Sequence, residues 1–322
     1  MPLKIIRNDI TKVKTDVIVN TANPHPTIGS GTDRAIYHAA GEQELLSERV
    51  KIGTIARGQA VATQAFNLPA KYIIHTVGPK WIDGDNGERE ILRSCYYNSL
   101  SLAAKLGAES VAFPLISTGN YHFPKYEALN IALDEIRKFI LTHDIDVSLV
   151  VFDIDSFELS AQLVGQIDEY IKEHEVRRVQ QREYRHLRHM NREVVHKFEG
   201  ITLDYAMSQS EETFQKMLFR LIDASGMDDV TFYKKANIDR KLFSHIRCNK
   251  DYKPKKKTAV ALAIALELDM PTMSDLLARA GIAFSPCNKF DIIVSYFVEK
   301  GSYDVFEINA ALFQYGQPML GE

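Results

Sequence analysis

Short apolar runs alternate with helical patterns along the first 160 residues, and this alternation restricts the possible fold more than any other feature. Three of the runs, VIVN, VAFPL and VSLVVF, are almost continuously apolar, which is typical of strands buried on both faces of a sheet. Strands are predicted at residues 3–7, 16–20, 59–63, 72–76, 110–114 and 146–152, and helices at 32–40, 88–106 and 126–142. Strands and helices in alternation predict a three-layer α/β domain.

The β pattern ends near residue 160, and the rest of the chain reads as helical. Residues 162–197 contain no proline and predict one long, polar, basic helix. We interpret it as a solvated connector, with a face for nucleic acid or a partner protein as the alternative. Beyond it, short helical patterns broken by glycine, asparagine and proline predict an all-α domain. The predicted divisions are a domain at 1–170, a basic connector helix at 171–200 and an all-α domain at 201–322.

The overall composition excludes several classes of protein. With 322 residues, 45% of them hydrophobic and 25% charged, the chain is globular in composition and long enough for about two domains. A net charge of -3 argues against a general polyanion binder, and three cysteines without a C-x-x-C pair argue against a zinc site or a disulfide framework. The first ten residues lack the apolar core of a signal peptide, and no apolar run approaches the roughly 20 residues of a membrane helix. A soluble, cytoplasmic protein is expected.

Two loops rich in small residues are the first candidates for a binding site. The first loop (residues 21–31) ends in Gly29-Ser30-Gly31 before a helix, and the second loop (residues 115–124) contains Ser117-Thr118-Gly119. Small residues let a backbone approach a ligand closely, and a helix N-terminus offers free N–H groups to an anion. Because loops that follow parallel strands meet at one edge of an open sheet, the pair predicts a site for a phosphate-containing ligand.

Several motifs then occur in the order found in macrodomains. In chain order they are DIT at 9–11, VIVNTAN at 17–23, GSGTD at 29–33 followed by AAG at 39–41, IHTVGP at 74–79 and FPLISTG at 113–119. Over residues 1–170 the chain therefore resembles a macrodomain, the ADP-ribose-binding module. The resemblance implies a mixed sheet between helices, with ADP-ribose in a cleft at the strand ends and with no metal or other cofactor.

The resemblance also implies roles for individual residues. Asp9 matches the residue that accepts a hydrogen bond from the adenine amino group, and a turn aspartate is the alternative. Phe152 matches the aromatic residue that stacks on adenine, and a strand core position is the alternative. The two loops would wrap the diphosphate and the distal ribose. The complete ligand-binding set is Asp9, Ile10, Gly29, Ser30, Gly31, Thr32, Ser117, Thr118, Gly119, Asn120, Tyr121 and Phe152.

Asn23 and Asp33 are the catalytic residues that the resemblance implies. Asn23 matches the asparagine that contacts the distal ribose, and Asp33 matches the aspartate that hydrolytic members place beside the attacking water. Each has a structural alternative. Asn23 would be a turn residue before Pro24, and Asp33 would be a first-turn carboxylate favoured by the helix dipole.

The leading functional hypothesis is hydrolysis of ADP-ribose linkages on protein or nucleic acid, at the anomeric carbon of the distal ribose, with deacetylation of acetylated ADP-ribose as a related activity. The alternative is a non-catalytic ADP-ribose sensor coupled to a DNA- or protein-binding helical domain. His38 and His75 are predicted to be packed structural histidines. His122 stands where the second loop of the family often has a glycine, and its imidazole would donate to a phosphate or crowd the distal ribose.

The C-terminal part contains a helix, a short turn and a second helix at 231–247, with Asn237 suited to the turn and Asp239 to the next N-cap. Over 213–281 the order is similar to lambda-repressor-like helix-turn-helix domains. Between 234 and 257 ten basic residues face two acidic ones, an excess of eight positive charges. The predicted DNA contacts are Arg240, Lys241, Ser244 and His245 in the major groove and Lys253, Lys255, Lys256 and Lys257 on phosphates. A protein-interaction module with solvated lysines is the alternative.

Overall fold

The computed structural model describes residues 2–152, 157, 159–189, 212–250 and 252–321, and of 178–189 the backbone alone. The chain divides into two compact units, an N-terminal unit, Met1–Ser160, and a C-terminal unit, Ala161–Glu322. The division falls where the β pattern of the sequence ends. The domain limits at 170 and 200 stay predictions.

A six-stranded mixed sheet forms the centre of the N-terminal unit. Its strands are β1 (Leu3–Arg7), β2 (Val17–Thr21), β3 (Ala60–Gln64), β4 (Tyr72–Thr76), β5 (Ser110–Pro114) and β6 (Asp146–Val151). They lie in the order β1-β6-β5-β2-β4-β3, and only β3 runs antiparallel to its neighbour. The central strands β2 and β5 are buried almost throughout, as expected for parallel strands with helices on both faces. All six predicted strands are confirmed, because no strand end differs from its prediction by more than one residue.

Four helices of the N-terminal unit flank this sheet: α1 (Thr32–Ala40), α2 (Glu42–Ile52), α3 (Glu88–Lys105) and α4 (Lys125–Thr142). Three of them lie where the sequence predicts helices, but α2 is not predicted. Only Leu45 and Arg49 are buried in α2, and an arginine adds nothing to an apolar pattern. The sequence of α2 therefore shows no clear apolar periodicity, because one of its two buried positions is an arginine.

The segments with predicted ligand contacts leave the sheet at one edge. The strands β2 and β5 are neighbours, with Val17 opposite Val111, so the first and second loops start side by side at the carboxyl ends of these strands. The strands β1 and β6 also end there, with Arg7 opposite Val151. The residues that follow them, including Asp9 and Phe152, therefore lie along the same edge as the two loops, where open α/β sheets bind ligands.

The described part of the C-terminal unit is helical. Its helices are α5 (Ala161–His189), α6 (Phe214–Ser225), α7 (Asp229–Lys235), α8 (Arg240–Cys248), α9 (Lys256–Ala265), α10 (Met270–Arg279), α11 (Lys289–Glu299) and α12 (Val305–Gln314). The predicted turn chemistry is confirmed: Asn237 has a φ of +54°, and the Asp239 side chain accepts from Leu242 N at the start of α8. Among the described residues, no helix combines the length and the apolar character needed to cross a membrane.

The basic helix α5 is a packed element over its first half rather than a solvated connector. Ile167 is fully buried, the Tyr296 hydroxyl donates to Gln166 Oε1 at 2.8 Å, and the Tyr315 hydroxyl donates to Asp168 Oδ1 at 2.8 Å. Part of the packing of α5 therefore consists of hydrogen bonds from tyrosines and not of apolar contacts. For this reason the small number of apolar residues in α5 did not indicate that the helix is packed. Residues 190–200 of the predicted connector lie outside the described residues.

Candidate functional site

An open cleft of about 270 Å³ lies between the first loop, the N-terminus of α1 and the second loop. It is lined by Asn23, by residues 29–33 and, apart from Ile116, by residues 115–121, so the structure brings the predicted residues of both loops together. Gly78 and Lys125 also line it and were not assigned from the sequence. The two loops are joined directly, because Asn120 Nδ2 donates a hydrogen bond to Ser30 Oγ.

Asp33 is the carboxylate of this cleft, and it is only 3% exposed. Asn20 Nδ2 donates to its Oδ1 at 2.6 Å, and Gly29 N donates to its Oδ2 at 2.6 Å. Burial raises the pKa of Asp33 above its usual range, against the opposing effects of these two hydrogen bonds and of the Arg49 charge. A carboxylate with a raised pKa is a better base near neutral pH, so Asp33 is suited to take a proton from water.

Gly29 lies between the two predicted catalytic side chains. A methyl group built on Gly29 would lie 3.0 Å from Asn23 Nδ2 and 3.0 Å from Asp33 Oδ2, so these two atoms lie close together and leave little room for a side chain at position 29. Asn23 Nδ2 also donates to Thr27 O at 3.1 Å, which holds this side chain within the first loop. Asn23 and Asp33 are therefore neighbours in the lining of the cleft. An amide donor and a carboxylate acceptor close to each other suit a hydroxyl group or a water molecule, since each of these both donates and accepts.

Behind Asp33 lies a buried hydrogen-bonded chain that was not assigned from the sequence. Asn20 Nδ2 lies 3.2 Å from His75 Nδ1, and His75 Nε2 lies 3.0 Å from Thr63 Oγ1. Because Asn20 Nδ2 is a donor, His75 Nδ1 is the acceptor and Nε2 carries the ring proton. Burial, together with the charge of Arg49, lowers the pKa of His75 to about 3, so the ring is neutral at physiological pH.

We expect the stability of the protein to depend on pH through His75. A histidine in the unfolded chain takes up a proton near pH 6.5, whereas folded His75 does so only near pH 3. Its contribution is complete above pH 6.5, and the free energy of unfolding falls by about 1.4 kcal/mol per pH unit as the pH drops below that value. Denaturant titrations between pH 7 and pH 5 should give a smaller pH slope for His75→Gln than for the wild type.

The exposed His38 provides the matched control for this measurement, because His38→Gln removes a histidine without touching the buried chain. Its pH slope should equal that of the wild type. A slope for His75→Gln that also equals the wild-type slope would contradict the assignment of His75 as a buried neutral ring.

Gly78 sets how closely the second loop approaches the end of β4. A methyl group built on Gly78 would overlap Ser117 Oγ and lie 2.9 Å from Ile116 Cγ2, so a larger residue fits only if the side chains of Ser117 and Ile116 shift. Ser117 has a φ of +66°, which is unusual for a residue with a side chain. Its hydroxyl is buried and has no hydrogen-bond partner among the described residues. Ser117 lines the cleft, and its hydroxyl lies against Gly78.

Asp9 and Phe152, the residues predicted to contact adenine, lie outside the cleft lining but on the same sheet edge. Asp9 caps the short 3-10 helix Ile10–Lys12, and its Oδ1 accepts from Thr11 N at 3.0 Å and from Thr11 Oγ1 at 2.7 Å. Asp9 is therefore a turn residue whose second oxygen lies 3.9 Å from Lys12 Nζ. Phe152 is 73% exposed, which excludes the strand core alternative and leaves a ring on which a base can stack.

The surroundings of His38 and His122 differ from those predicted. His38 is exposed, with Nδ1 3.7 Å from Glu42 Oε1, and is not packed, because its position on α1 faces away from the buried side of that helix. His122 is also exposed, has a φ of +54° and does not line the cleft, so its imidazole does not crowd the cavity. The positive φ at His122 is a conformation that glycine adopts most easily.

The predicted DNA-contacting residues include both exposed and paired side chains. All four on α8, Arg240, Lys241, Ser244 and His245, are exposed, as are Lys253 and Lys255. Lys256 is different, because its Nζ donates to Asp291 Oδ2 at 2.6 Å and the Asp291 side chain is buried. Lys257 is half-buried. Lys256 therefore forms a structural ion pair and is not free for a phosphate.

Comparison with known proteins assigns the family. The family model described as Macro domain matches residues 19–132. An O-acetyl-ADP-ribose deacetylase from Cronobacter sakazakii is 42% identical over 172 residues, which cover 52% of this chain and 96% of the relative. A macro domain-containing protein from Methanosarcina mazei is 44% identical over 156 residues, covering 48% of this chain and 83% of the relative. The chain belongs to the macrodomain family, and these relatives match about half of it.

Solved structures also match about half of the chain. One is the Oceanobacillus iheyensis macrodomain with ADP, which is 40% identical and covers 48% of this chain and 85% of the other, with a TM-score of 0.46. Another is the Trypanosoma brucei macrodomain in complex with ADP-ribose, which is 36% identical and covers 48% of this chain and 66% of the other, with a TM-score of 0.44.

Proposed function

We propose that the N-terminal unit binds ADP-ribose in this cleft and hydrolyses a bond at the distal ribose. The family supports the ligand, because several relatives that are 42% identical are named O-acetyl-ADP-ribose deacetylase. The cleft has the donors that a diphosphate requires. The N-terminus of α1 has no side-chain cap, so its first N–H groups are open to an anion, and Ser117, Thr118 and Gly119 of the second loop line the same cleft.

The same edge of the sheet also carries groups that suit the other parts of such a ligand. Asp9 uses only one carboxylate oxygen in its turn, which leaves the other to accept from an adenine amino group. The exposed ring of Phe152 follows the neighbouring strand and would stack on the base. In this arrangement the adenine lies at β1 and β6, the diphosphate lies between the two loops, and the distal ribose lies beside Asn23 and Asp33.

The observation that carries the hydrolytic part is the buried Asp33 carboxylate, which lines the cleft close to the Asn23 amide. In deacetylation, Asp33 accepts a proton from water while the water oxygen bonds to the acetyl carbonyl carbon. The ester bond to the ribose oxygen then breaks, and the proton passes to that oxygen, giving acetate and ADP-ribose. For a linkage at the anomeric carbon, the water oxygen bonds to that carbon while the bond from it to the carrier group breaks, and the proton passes from Asp33 to the carrier group, giving free ADP-ribose.

The experiment that tests this function uses the full chain with two substrates in parallel, O-acetyl-ADP-ribose and a mono-ADP-ribosylated protein. Release of acetate, followed by proton NMR, would identify the ester as the bond that is cleaved. Release of free ADP-ribose from the protein would identify the anomeric linkage. Binding of ADP-ribose without turnover of either substrate would contradict hydrolysis and favour the alternative of a non-catalytic sensor.

A second function, binding of nucleic acid by the C-terminal unit, is favoured by the exposed side of α8. Arg240, Lys241, Ser244 and His245 are all exposed there, and α8 follows α7 in the order of a helix-turn-helix. Exposed basic residues on the second helix of such a pair would reach base edges and phosphates in a major groove. In this arrangement the C-terminal unit would bring the macrodomain to ADP-ribosylated nucleic acid.

We expect the full chain to bind duplex DNA with an affinity that falls steeply as salt increases. The double variant Arg240→Ala/Lys241→Ala should lower the affinity by about tenfold or more, because it removes two cationic contacts. Fluorescence anisotropy at several salt concentrations measures both effects, and Lys216→Ala, on an exposed position of α6, is the matched control. Absence of binding even at low salt would favour a protein-interaction module instead.

A further inference from the structure

Arg49 is the most unusual residue beneath the first loop, because a guanidinium is 1% exposed there. It lies on α2, where Nη1 donates to Gly53 O at 3.1 Å and Nη2 makes a long hydrogen bond of 3.5 Å to Asn23 O. Its Nε is buried without a hydrogen-bond partner among the described residues. A buried cation of this kind is costly unless negative charge or strong acceptors lie nearby.

The groups that compensate Arg49 belong to the proposed active site. Asp33 and Tyr37 are four residues apart on α1 and therefore share one face of that helix, and both are buried. The Tyr37 side chain and the Asp33 carboxylate both interact electrostatically with the guanidinium. Arg49 Nη2 contacts the carbonyl oxygen of Asn23, whose side-chain amide lies beside Gly29 as Asp33 Oδ2 does. Arg49 thus contacts the backbone of one proposed catalytic residue and provides the charge opposite the other.

Asp33 needs such a counter-charge more than an exposed carboxylate would. Its burial favours the neutral acid, and the neutral acid cannot accept a proton from water. The charged or titratable neighbours that bear on it are Arg49 from α2, Tyr37 from its own helix and, through Asn20, the neutral His75 from β4. Of these, Arg49 is the one that carries a positive charge.

We propose that Arg49 is a positioning residue of this site, which fixes the Asn23 segment through its carbonyl oxygen and keeps Asp33 ionised by supplying the opposite charge. The proposal rests on the proposed hydrolytic function for its consequence in catalysis, but its electrostatic part stands on the buried cluster alone. A purely structural arginine, which only holds Gly53 O at the end of α2, would leave the titration of Asp33 unchanged.

The test measures the titration of Asp33 directly in the full chain. Aspartate labelled with carbon-13 at the carboxyl group is followed by NMR against pH, and Asp33→Asn identifies the signal. In Arg49→Met the apparent pKa of Asp33 should rise above the wild-type value, as expected when an opposite charge is removed. Arg49→Lys should restore most of the wild-type value, because it retains the charge without the planar fork of donors.

Two further variants keep the test decisive. Arg49→Gln removes the charge but keeps a hydrogen-bond donor, so it gives the same expected shift if Arg49→Met does not fold. Arg34→Met is the matched control, because Arg34 adjoins Asp33 in sequence and is exposed, and it should leave the titration unchanged. An Asp33 titration in the uncharged Arg49 variants equal to that of the wild type would overturn the proposal.

The pH profile of turnover separates this proposal from the proposed function. If the protein hydrolyses its substrate, the acidic limb of kcat/KM in Arg49→Gln should move to higher pH together with the NMR titration. If the NMR titration moves but neither the wild type nor the variant hydrolyses any substrate, the counter-charge role holds and the hydrolytic function fails. If turnover is present and its acidic limb does not move, the role of Arg49 in catalysis is refuted.

Discussion

Asp33→Asn is expected to reduce turnover by a factor of about 100 or more while the affinity for ADP-ribose stays within about threefold of the wild type. The reason is that asparagine keeps the shape of the side chain but cannot take a proton from water. The buried surroundings can accommodate the change. Asn20 Oδ1 has no partner among the described residues, so a flip of the Asn20 amide presents this acceptor to the new side-chain amide. The neutral His75 ring then carries its proton on Nδ1 and accepts from the Thr63 hydroxyl at Nε2. Single-turnover rates and calorimetric titration measure the two quantities separately.

The control for this variant is Arg34→Gln, which changes the next residue on the exposed side of α1. It should leave both turnover and affinity unchanged. Turnover by Asp33→Asn at the wild-type rate would contradict the role of Asp33 as the proton acceptor. Loss of affinity and turnover together would assign Asp33 to the structure of the first loop instead.

Gly78→Ala is expected to lower the affinity for ADP-ribose by about tenfold or more and the free energy of unfolding by about 1–3 kcal/mol. The added methyl group would overlap Ser117 Oγ and lie 2.9 Å from Ile116 Cγ2, so the side chains of these two loop residues must shift. That shift displaces the Ser117 side chain, which lines the cleft. Calorimetric titration and chemical denaturation measure the two losses.

A matched control is Gly165→Ala on α5, where an added methyl group meets nothing within 4 Å and the backbone is helical. It should cost neither affinity nor stability. The double variant Gly78→Ala/Ser117→Gly should regain part of the lost stability, because it removes the nearest clashing atom at a position whose φ of +66° suits glycine. Wild-type affinity in Gly78→Ala would show that the second loop does not depend on this close contact.

The strands and most helices of the N-terminal unit could be predicted because their patterns are local. Apolar runs such as VIVN mark strands buried on two faces, and three of the four helices show an ordinary apolar face. The helix α2 escaped prediction because Arg49 occupies a buried position, and an arginine in a sequence normally indicates an exposed one. In the C-terminal unit, Lys256 was counted among exposed lysines, since its partner Asp291 lies 35 residues away along the chain.

In the site, too, residues within motifs could be predicted, whereas contacts between residues distant in the sequence could not. The motif residues Asn23 and Asp33 could be assigned from the resemblance, and the structure places both in the lining of the cleft, on either side of Gly29. The motif that contains His75 and Gly78 was visible too, but their roles depend on contacts with Asn20 and Ser117, which come from other strands and loops. Contacts of this kind follow from the order of the strands in the sheet, and no pattern along the chain encodes that order directly.

Calorimetric titration of the full chain with ADP-ribose tests most directly whether this cleft is the binding site. We predict saturable one-to-one binding that is weakened in Asp9→Ala, because the carboxylate oxygen left free by the turn would be lost to adenine. Thr11→Val is the matched control: it removes the hydroxyl that donates to Asp9 Oδ1 but leaves the carboxylate in place, and it should bind as the wild type does. Absence of binding, or equal binding by Asp9→Ala and the wild type, would contradict an ADP-ribose site along this edge of the sheet.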